Sequence, residues 1–569
     1  MVLCAAPLLA GPAHASDRLP ELRALRAALQ PEAGAARAGG VVPLPLPEPR
    51  PARAAAASAM AELTRIARST GPQRVLVGLT RHRHLAGVKR ALERLGAEPE
   101  AFEPFGVLAA TVPSGAALAR ALGGGDPRVA YIERDSELRI AADPLDTQDP
   151  VTGVPYTWFY DEVRAGDALA AVGGGSRRSI AVMDTGLDTA HPELAGRITH
   201  TFDTETGGAD VFDGVGHGTF VTGLIAAIDG NGVGGKGVAG DTRVLAIRAS
   251  SDGGFDERDL LRGILFAVRR GADVLNMSLA GDSLDDSVSR ALATAFFNDV
   301  LPVAASGNRG AHGNPLQFPA AVLGGSRGAP GIGLSVAATR PNGRVARFST
   351  HNRFVSLAAP GAGPSGCRHG VLSTLPATPT TEWDNPSTCS RLVADQSGAR
   401  FAYGEGTSFA APIASGIAAL VWQVERRLAS EQVAEVLTRS ARQTRGKGWN
   451  QYTGAGVVDG RAASALARTY DVTAPRARAG ARRLGTSVSV QVRSARDRTE
   501  RGRELAGRVT YGLLVSRDAG RDFDAVVSRR RRPFRHTVRL RGRRINVIVV
   551  TACDRNGNCG VRRLGSFNP

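Results

Sequence analysis

Residues 179–194 read SIAVMDTGLDTAHPEL, a short apolar run that ends in the carboxylate of Asp184 and a glycine, Gly186, that allows a sharp turn. Similar apolar runs alternate with helical stretches further on, as RVLAIR (243–248), DVLNMS (273–278), VLPVAA (300–305) and LSVAA (334–338). This alternation predicts an α/β fold, a doubly wound parallel sheet covered by helices on both faces. Ligands of such sheets bind beyond the carboxyl ends of the strands, so Asp184 is a candidate site residue.

The DTG triplet at Asp184 has two other interpretations. It is also the aspartic-protease triplet, but that chemistry needs two carboxylates sharing a proton, and the chain has no second DTG or DSG. A single-copy enzyme of that class would have to dimerise. An Asp in this place is also a common helix cap.

Two later motifs offer partners for this carboxylate. His217 lies in GVGHGTFVTGLIAAI (214–228), where glycines let the backbone approach closely and the apolar run predicts a buried helix. Ser408 lies in GEGTSFAAPIASGIAALVWQ (404–423), and Pro412 fits only the first turn of the predicted helix, which puts Ser408 near its amino end. Negative charge is favoured there. Taken alone, His217 could be a structural histidine and Ser408 an N-cap.

A fourth motif completes the set. Asn308 ends VLPVAASGN (300–308), where a side-chain amide can donate a hydrogen bond to an oxyanion. Together DTGLDTAHPEL, GHGTFVTG, AASGN and GTSFAAPIASG resemble the subtilase family, the subtilisin-like serine proteases of peptidase family S8, in the order Asp, His, Ser. The resemblance covers about residues 151–469. It implies the subtilisin-like fold, serine endopeptidase activity, the triad Asp184, His217 and Ser408, and Asn308 as oxyanion donor.

The same resemblance implies a mechanism and a substrate cleft for protein or peptide substrates. Asp184 orients His217, His217 takes the proton of Ser408, and an acyl-enzyme is hydrolysed by water. No cofactor is required for catalysis. The implied cleft residues are Ser278, Leu279, Ala280, Ala304, Ala305 and Gly307. Ala280 stands where the family usually has Gly, so pairing with the substrate backbone is expected to differ there.

Residues 74–133 alternate strands and helices and predict a small α+β domain. The segment from about 74 to 138 resembles the propeptide domain of subtilisin-like proteases, and VAYIERD (129–135) carries that likeness. The resemblance implies an intramolecular inhibitor whose tail lies in the active site and which is removed by self-cleavage near Ala141 or Ala142. A permanent accessory domain is the alternative.

The apolar residues 1–15, MVLCAAPLLAGPAHA, end in a signal-peptidase pattern and predict secretion. They lack a basic region, so either the true start lies upstream or the segment is an ordinary apolar N-terminus. No later run approaches the roughly 18 apolar residues of a membrane helix. We predict a signal peptide (1–15), a low-complexity linker (16–58), a propeptide domain (59–141), a catalytic domain (142–470) and a basic C-terminal domain (471–569).

The basic charge is concentrated at the C-terminus. Residues 471–569 hold 24 Arg against 8 acidic residues, so most of the net charge of +18 lies there. Period-two runs such as TSVSVQV and VTYGLLVS predict a small all-β sandwich. This domain could bind an anionic cell-surface polymer, or its arginines could be merely solvated. We expect a monomer that is secreted or associated with the cell wall.

Cysteines and one glycine-rich loop suggest structural sites. If Cys4 leaves with the signal peptide, loop closure favours Cys367 with Cys389 and Cys553 with Cys559, with free buried thiols as the alternative. IDGNGVGGKGVAG (228–240) occupies the place where many subtilases bind structural calcium, which makes Asp229 and Asn231 candidate ligands. Glycine-rich turns also have this composition.

Three sequence features suggest other functions. GGSRG (324–328) matches the nucleophile elbow of α/β-hydrolase esterases around Ser326, but Gly and Pro follow where a helix is required. GNGVGG (230–235) matches a dinucleotide fingerprint, but it follows a helix. The basic C-terminal domain suggests a protein of a different class, a catalytically silent scaffold that binds its partner through that domain. Labelling by a fluorophosphonate would separate it from a protease.

Overall fold

The computed structural model describes residues 66, 71–122, 126–135, 137–140, 158–173, 177–229, 231, 235–364, 369–385, 391–394, 399–444, 446, 448–496, 509–516, 524–540, 546–554, 556 and 558–567. The predicted signal peptide, the linker, the cleavage region at Ala141 and Ala142, and the cysteines Cys367 and Cys389 lie outside these residues.

The N-terminal part of the chain forms an antiparallel sheet with two helices. Its elements are β1 (Gln73–Leu79), α1 (Leu85–Glu93), β2 (Glu100–Phe102), β3 (Val107–Val112), α2 (Gly115–Leu122), β4 (Val129–Arg134) and β5 (Glu137–Ile140). Strands β2, β3, β1 and β4 pair in that order. Alternate residues of β1 face opposite sides, so Val75 and Val77 belong to the core of this domain while Leu76 belongs to the core of the next one.

The central part of the chain holds most of the helices. Its elements are α3 (Trp158–Glu162), α4 (Ala165–Ala171), β6 (Ser179–Asp184), β7 (Ile198–Asp203), α5 (His217–Ala226), β8 (Arg243–Arg248), β9 (Gly254–Asp256), α6 (Glu257–Arg269), β10 (Val274–Met277), β11 (Leu279–Ala280), α7 (Asp286–Phe297), β12 (Leu301–Ala305), α8 (Ala320–Leu323), β13 (Leu334–Thr339), β14 (Leu357–Pro360), β15 (Val371–Leu375), β16 (Arg391–Ala394), β17 (Arg400–Gly404), α9 (Thr407–Val424), α10 (Ser430–Ser440) and α11 (Gly460–Thr469).

Seven strands of this part form one parallel sheet in the order β14, β13, β12, β10, β6, β8, β7. The predicted parallel sheet is therefore confirmed. From β6 the chain first builds β7 and β8 on one side and then β10, β12, β13 and β14 on the other. The order of strands thus reverses between β6 and β10, and a crevice opens there at the carboxyl ends. Asp184 is the last residue of β6.

Helix α9 runs through the middle of the molecule and is buried from Thr407 to Trp422. Its small residues let it pack closely against the strands of the parallel sheet. Among the described helices it alone has the length and hydropathy of a membrane span, and 89% of that span is buried inside the protein.

Pro412 lies in the second turn of α9, not in the first turn as the sequence suggested, because the helix already begins at Thr407. A proline there cannot donate to the carbonyl four residues earlier, that of Ser408. The hydroxyl of Ser278 donates to this carbonyl instead, at 2.6 Å. The polar group that Pro412 leaves without a helical partner is thereby satisfied.

The C-terminal part consists of strands. They are β18 (Arg476–Leu484), β19 (Ser487–Arg496), β20 (Thr510–Ser516), β21 (Asp524–Arg530), β22 (Arg535–Arg539), β23 (Asn546–Cys553) and β24 (Cys559–Phe567). They form two antiparallel sheets, β18–β19–β22 and β21–β20–β23–β24, whose apolar faces share one core. A disulfide joins Cys553 to Cys559 across the turn between β23 and β24, as predicted.

Candidate active site

The carboxylate of Asp184 and the imidazole of His217 lie in contact below the surface. Asp184 ends β6 and His217 begins α5, and Nδ1 of His217 lies 2.7 Å from Oδ1 of Asp184. The backbone N–H of Thr185 donates to the same oxygen at 2.8 Å. Burial alone would lower the pKa of His217, but the charge and hydrogen bond of Asp184 raise it to about 9. The carboxylate can thus hold the ring in one tautomer, with Nε2 free to act as a base.

A second carboxylate, which the sequence analysis missed, fixes the start of α5. Asp213 accepts hydrogen bonds from the hydroxyl of Thr185, the backbone N–H of Gly216, and both the N–H and the hydroxyl of Thr219. It is fully buried, and burial raises its pKa against the effect of these four bonds. Asp213 therefore ties β6 to the helix that carries His217. Its surroundings in sequence, DGVG, look like an ordinary turn.

Ser408 and Asn308 meet at the amino end of α9. The side-chain Oδ1 of Asn308 accepts from the N–H and the hydroxyl of Thr407, both at 2.9 Å. This fixes the amide so that its Nδ2 points away from Thr407, buried and without a hydrogen-bond partner among the described residues. A Cβ added to Gly406 would lie 3.5 Å from Asn308 Nδ2 and 3.6 Å from the backbone N of Ser408. The two N–H donors therefore flank one space that Gly406 leaves open.

The hydroxyl of Ser408 and Nε2 of His217 are both buried, and neither makes a hydrogen bond within the described part of the chain. The ring of Phe409, next to Ser408, lies 5.7 Å from the His217 ring. The predicted nucleophile, Ser408, and the predicted base, His217, therefore lie at one site, but they are not hydrogen-bonded to each other. Such bonds are often long in enzymes without substrate and tighten in the complex.

The predicted cleft residues have different surroundings. Leu279 and Ala280 form β11, which pairs with Ile140 and Arg139 of β5, so the methyl group of Ala280 does not prevent pairing. On its other edge β5 pairs with β9.

Gly307 has a left-handed φ of 101° and donates its N–H to the Thr407 hydroxyl. The remaining three are buried, Ser278 bonded to α9 and Ala304 and Ala305 in β12.

The glycine-rich loop after α5 is only partly described, at Asp229, Asn231 and from Gly235 onward. The side-chain amide of Asn231 and the N–H of Gly235 both donate to the buried carboxylate of Glu193. Among the described residues no group of three or more His, Cys, Asp or Glu side chains comes together as a metal site. Calcium at Asp229 and Asn231 remains a prediction.

Ser326, the candidate esterase nucleophile, opens a short 3₁₀ turn, Ser326–Gly328. The next residues, Ala329 and Pro330, continue as extended chain, and no helix follows as a nucleophile elbow requires. The geometry at Ser326 therefore does not fit an esterase site.

The order of the strands and the contacts among Asp184, His217, Asn308 and α9 define a protease of the serine type. The Subtilase family model matches residues 175–456. The M-protease of Shouchella clausii (strain KSM-K16) is 31% identical over 340 residues, which cover 60% of this chain and 75% of that protein. The Thermophilic serine proteinase of Bacillus sp. (strain AK1) is 31% identical over 273 residues, 47% of this chain and 58% of that protein. The Major intracellular serine protease of Bacillus subtilis (strain 168) is 32% identical over 281 residues, 47% of this chain and 76% of that protein.

The chain belongs to the subtilase family and is by class a serine-type endopeptidase.

Proposed function

We propose that the protein is a secreted endopeptidase made as a self-processing zymogen, with Asp184, His217 and Ser408 as its triad and Asn308 as its oxyanion donor. His217 Nε2 takes the proton of the Ser408 hydroxyl while the oxygen attacks a peptide carbonyl. Nδ2 of Asn308 and the N–H of Ser408 stabilise the oxyanion. His217 then gives its proton to the leaving amine, and water hydrolyses the acyl-enzyme.

The observation that carries this proposal is the orientation of the Asn308 amide. Its Oδ1 is held by two hydrogen bonds from Thr407, one residue before Ser408, and its Nδ2 is left buried with no partner in the described structure. A buried N–H without an acceptor costs free energy, on the order of 1–3 kcal/mol, unless a ligand supplies one. An oxyanion formed on a carbonyl attacked by Ser408 is an acceptor of the right charge in the right place.

The proposed inhibitor role of the N-terminal domain is supported by the pairing of β5. This strand lies between β9 and β11, with Leu138 opposite Phe255 and Ile140 opposite Leu279. A substrate strand bound in the same place would gain the same backbone hydrogen bonds. Residues 137–140 thus resemble a bound peptide whose chain continues toward the proposed cleavage sites, Ala141 and Ala142.

Contacts outside the cleft support the same proposal, because carboxylates of the N-terminal domain cap two catalytic-domain helices. Asp135 accepts from the N–H of Arg258 at the start of α6, at 2.8 Å. Glu133 accepts from the N–H groups of Asp286 and Ser287 at the start of α7, at 2.9 and 3.2 Å. The first N–H groups of a helix have no partner within the helix, so these acceptors satisfy them and hold the N-terminal domain against the catalytic domain.

Export is proposed from the predicted signal peptide at residues 1–15. One relative described above carries an intracellular name, so export rests on the segment of this chain and not on the family. We also propose that the C-terminal domain holds an anionic cell-surface polymer. This is supported by exposed arginines in two strands of one sheet, Arg476, Arg478 and Arg482 in β18 and Arg535 and Arg539 in β22.

The protease proposal is tested with wild type and Ser408→Ala, each examined by intact mass and by casein hydrolysis with and without phenylmethylsulfonyl fluoride. We expect wild type to lose its N-terminal residues up to about Ala142 and to degrade casein in an inhibitor-sensitive way. Ser408→Ala should stay full length and inert. Two full-length proteins that both leave casein intact would contradict the proposal and direct attention to binding by the C-terminal domain.

A further inference from the structure

Between β15 and β17 the chain makes a turn that reaches the active site, residues 376–385. Arg400 holds this turn by donating to the carbonyls of Pro376 and Thr378 and by pairing with the carboxylate of Asp384. The other oxygen of that carboxylate accepts from the backbone N–H of Thr380. These bonds make residues 376–385, which we call the Arg400-clamped turn, a defined structure.

The Arg400-clamped turn packs on the residues just before the catalytic histidine. The N–H of Thr381 donates to the carbonyl of Gly214 at 3.0 Å, and that of Glu382 to the carbonyl of Val215 at 3.4 Å. The ring of Trp383 stacks on Phe220 of α5, with centroids 4.5 Å apart and planes 8° apart. Glu382 is therefore held by a backbone hydrogen bond to Val215, two residues before His217.

Trp383 also explains why Gly216 precedes His217. A Cβ added to Gly216 would lie 2.7 Å from Trp383 Cδ1, and the φ of 96° at Gly216 favours glycine in any case. The close approach of the turn thus requires a residue without a side chain. This fixes the distance between the turn and the start of α5.

One oxygen of the Glu382 carboxylate is enclosed at this place. Its Oε2 is shut off from solvent and has no hydrogen-bond partner among the described residues. The ionisable groups that act on it are His217, Asp184 and Asp213. Of these only His217 can become a cation, and its charge favours an ionised Glu382. On the turn itself, Asp384 is already paired with Arg400.

We propose that Glu382 is a positioning residue of this active site, whose half-buried carboxylate stabilises the imidazolium form of His217 and adds a second negative charge to that of Asp184. The proposal rests on the proposed function, because it requires His217 to act as the general base. In the reaction the imidazolium forms as Ser408 attacks, so the carboxylate stabilises the transition state as well as the resting cation.

The direction of the effect on activity follows from the charges. Burial raises the pKa of Glu382 to about 7, so at higher pH the group is ionised. The ionised carboxylate then contributes, after Asp184, to the pKa of about 9 of His217. His217 must lose its proton to act as a base, and this happens on the acid limb of the pH profile. Removing the charge of Glu382 moves that limb to lower pH, and it also removes stabilisation from the imidazolium formed in the transition state.

The test compares wild type with Glu382→Gln, which keeps the shape and removes the charge. The measurement is kcat/KM on one peptide substrate from pH 6 to pH 11. We expect the acid limb of Glu382→Gln to move down by up to about one pH unit, so that kcat/KM on that limb rises by up to about threefold once the lower plateau is included. On the alkaline plateau it should fall about threefold, because a less basic histidine is a weaker general base. The two profiles should therefore cross.

Two further variants control the experiment. Glu382→Asp keeps the charge and should give an acid limb closer to that of wild type. Glu435→Gln removes a carboxylate from the far helix α10, where it pairs with Arg439, and should leave the profile unchanged. The pH dependence of inactivation by a fluorophosphonate, measured on the same four proteins, follows His217 without a peptide substrate and should show the same displacement.

The possible failures are distinct. A Glu382→Gln profile that superimposes on wild type, or that is lowered at every pH without moving along the pH axis, overturns the role of Glu382 and leaves the protease proposal standing. A wild-type protein that neither cleaves peptides nor reacts with the fluorophosphonate overturns both.

Discussion

The N-terminal and C-terminal domains pack on the same catalytic domain by different means. The N-terminal domain adds charged groups around an apolar face. Arg74 pairs with Asp256, Asp135 accepts from the N–H of Arg258, and Arg262 pairs with Glu100. Half-buried Glu133 lies at the start of α7, close to the carboxylates of Asp285 and Asp286.

Several contacts between the C-terminal domain and the catalytic domain are made by neutral groups. Leu514, Val547 and Val549 belong to the catalytic core cluster. The side-chain amide of Gln432 in α10 donates to Oδ1 of Asn558 at 2.6 Å and to the carbonyl of Asn556 at 3.1 Å. Both asparagines lie in the turn that the Cys553–Cys559 disulfide closes.

The difference between these contacts concerns their sensitivity to pH. A carboxyl group whose pKa rises on docking, as burial with Asp285 and Asp286 nearby raises that of Glu133, makes an interface sensitive to pH, because it binds a proton when docked and releases it when separated. Neutral contacts that continue a core do not have this property. Because Leu76 and Phe102 of the N-terminal domain join the same core cluster as Leu514 and Val547, the two contacts differ in their expected sensitivity to pH and not in apolar packing.

The largest expected effect tests whether the C-terminal domain is part of the core. Leu514→Ala should lower the free energy of unfolding by about 2–4 kcal/mol, because it leaves a cavity at the contact. The measurement is denaturant unfolding in the Ser408→Ala background, which prevents self-digestion. Val561→Ala, at a side chain 40% exposed, is the control and should change stability by less than about 0.5 kcal/mol. Equal effects of the two substitutions would mean that the contact is not an extension of the core.

The next effect concerns the two helix caps. The fragment 59–141 is expected to inhibit the mature enzyme when added in trans. In that fragment, Glu133→Ala with Asp135→Ala should raise the inhibition constant about a hundredfold, since the hydrogen bonds that these side chains accept at the starts of two helices are lost. Glu98→Ala, which changes an exposed carboxylate of the same fragment, is the matched control. If the double variant has the same inhibition constant as the Glu98→Ala control, the fragment is held only by its C-terminal tail in the cleft.

The smallest effect is the dependence of the same inhibition on pH. Burial, with Asp285 and Asp286 nearby, raises the pKa of Glu133 well above its ordinary value in the docked state. Docking therefore takes up a proton, and the docked state loses stability as pH rises above the ordinary value of the free carboxyl. Between pH 6 and pH 9 the inhibition constant should increase about tenfold. Glu133→Gln should make the inhibition constant nearly independent of pH. A wild-type inhibition constant that falls as pH rises would contradict the uptake of a proton on docking.

The centre of the fold could be predicted from sequence, and its edges could not. The runs that became β6, β8, β10, β12 and β13 are apolar on both faces, because helices cover both sides of the sheet. Strand β7, ITHTFD, is half polar, and β14, LAAP, is short and ends in proline. Both lie at the ends of the sheet, where one edge has no partner strand and the sequence constraint is weaker.

The same contrast holds in the site. Asp184, His217, Asn308 and Ser408 each follow a strand or open a helix in a glycine-rich or small-residue context, so local sequence predicts them as candidates. Glu382 reaches His217 only through the Arg400-clamped turn, whose contacts join residues far apart in the chain. ATPTTEWDN (377–385) has no periodicity that would indicate such a contact.

The central claim is that Ser408 is an activated nucleophile. The most direct measurement is intact mass after reaction of the wild-type protein with a fluorophosphonate at pH 9, followed by peptide mapping, with Ser408→Ala treated in the same way. The account predicts one adduct per chain, on the peptide that contains Ser408, and no adduct in Ser408→Ala. A wild-type protein without an adduct, or with one on a different serine, would contradict it.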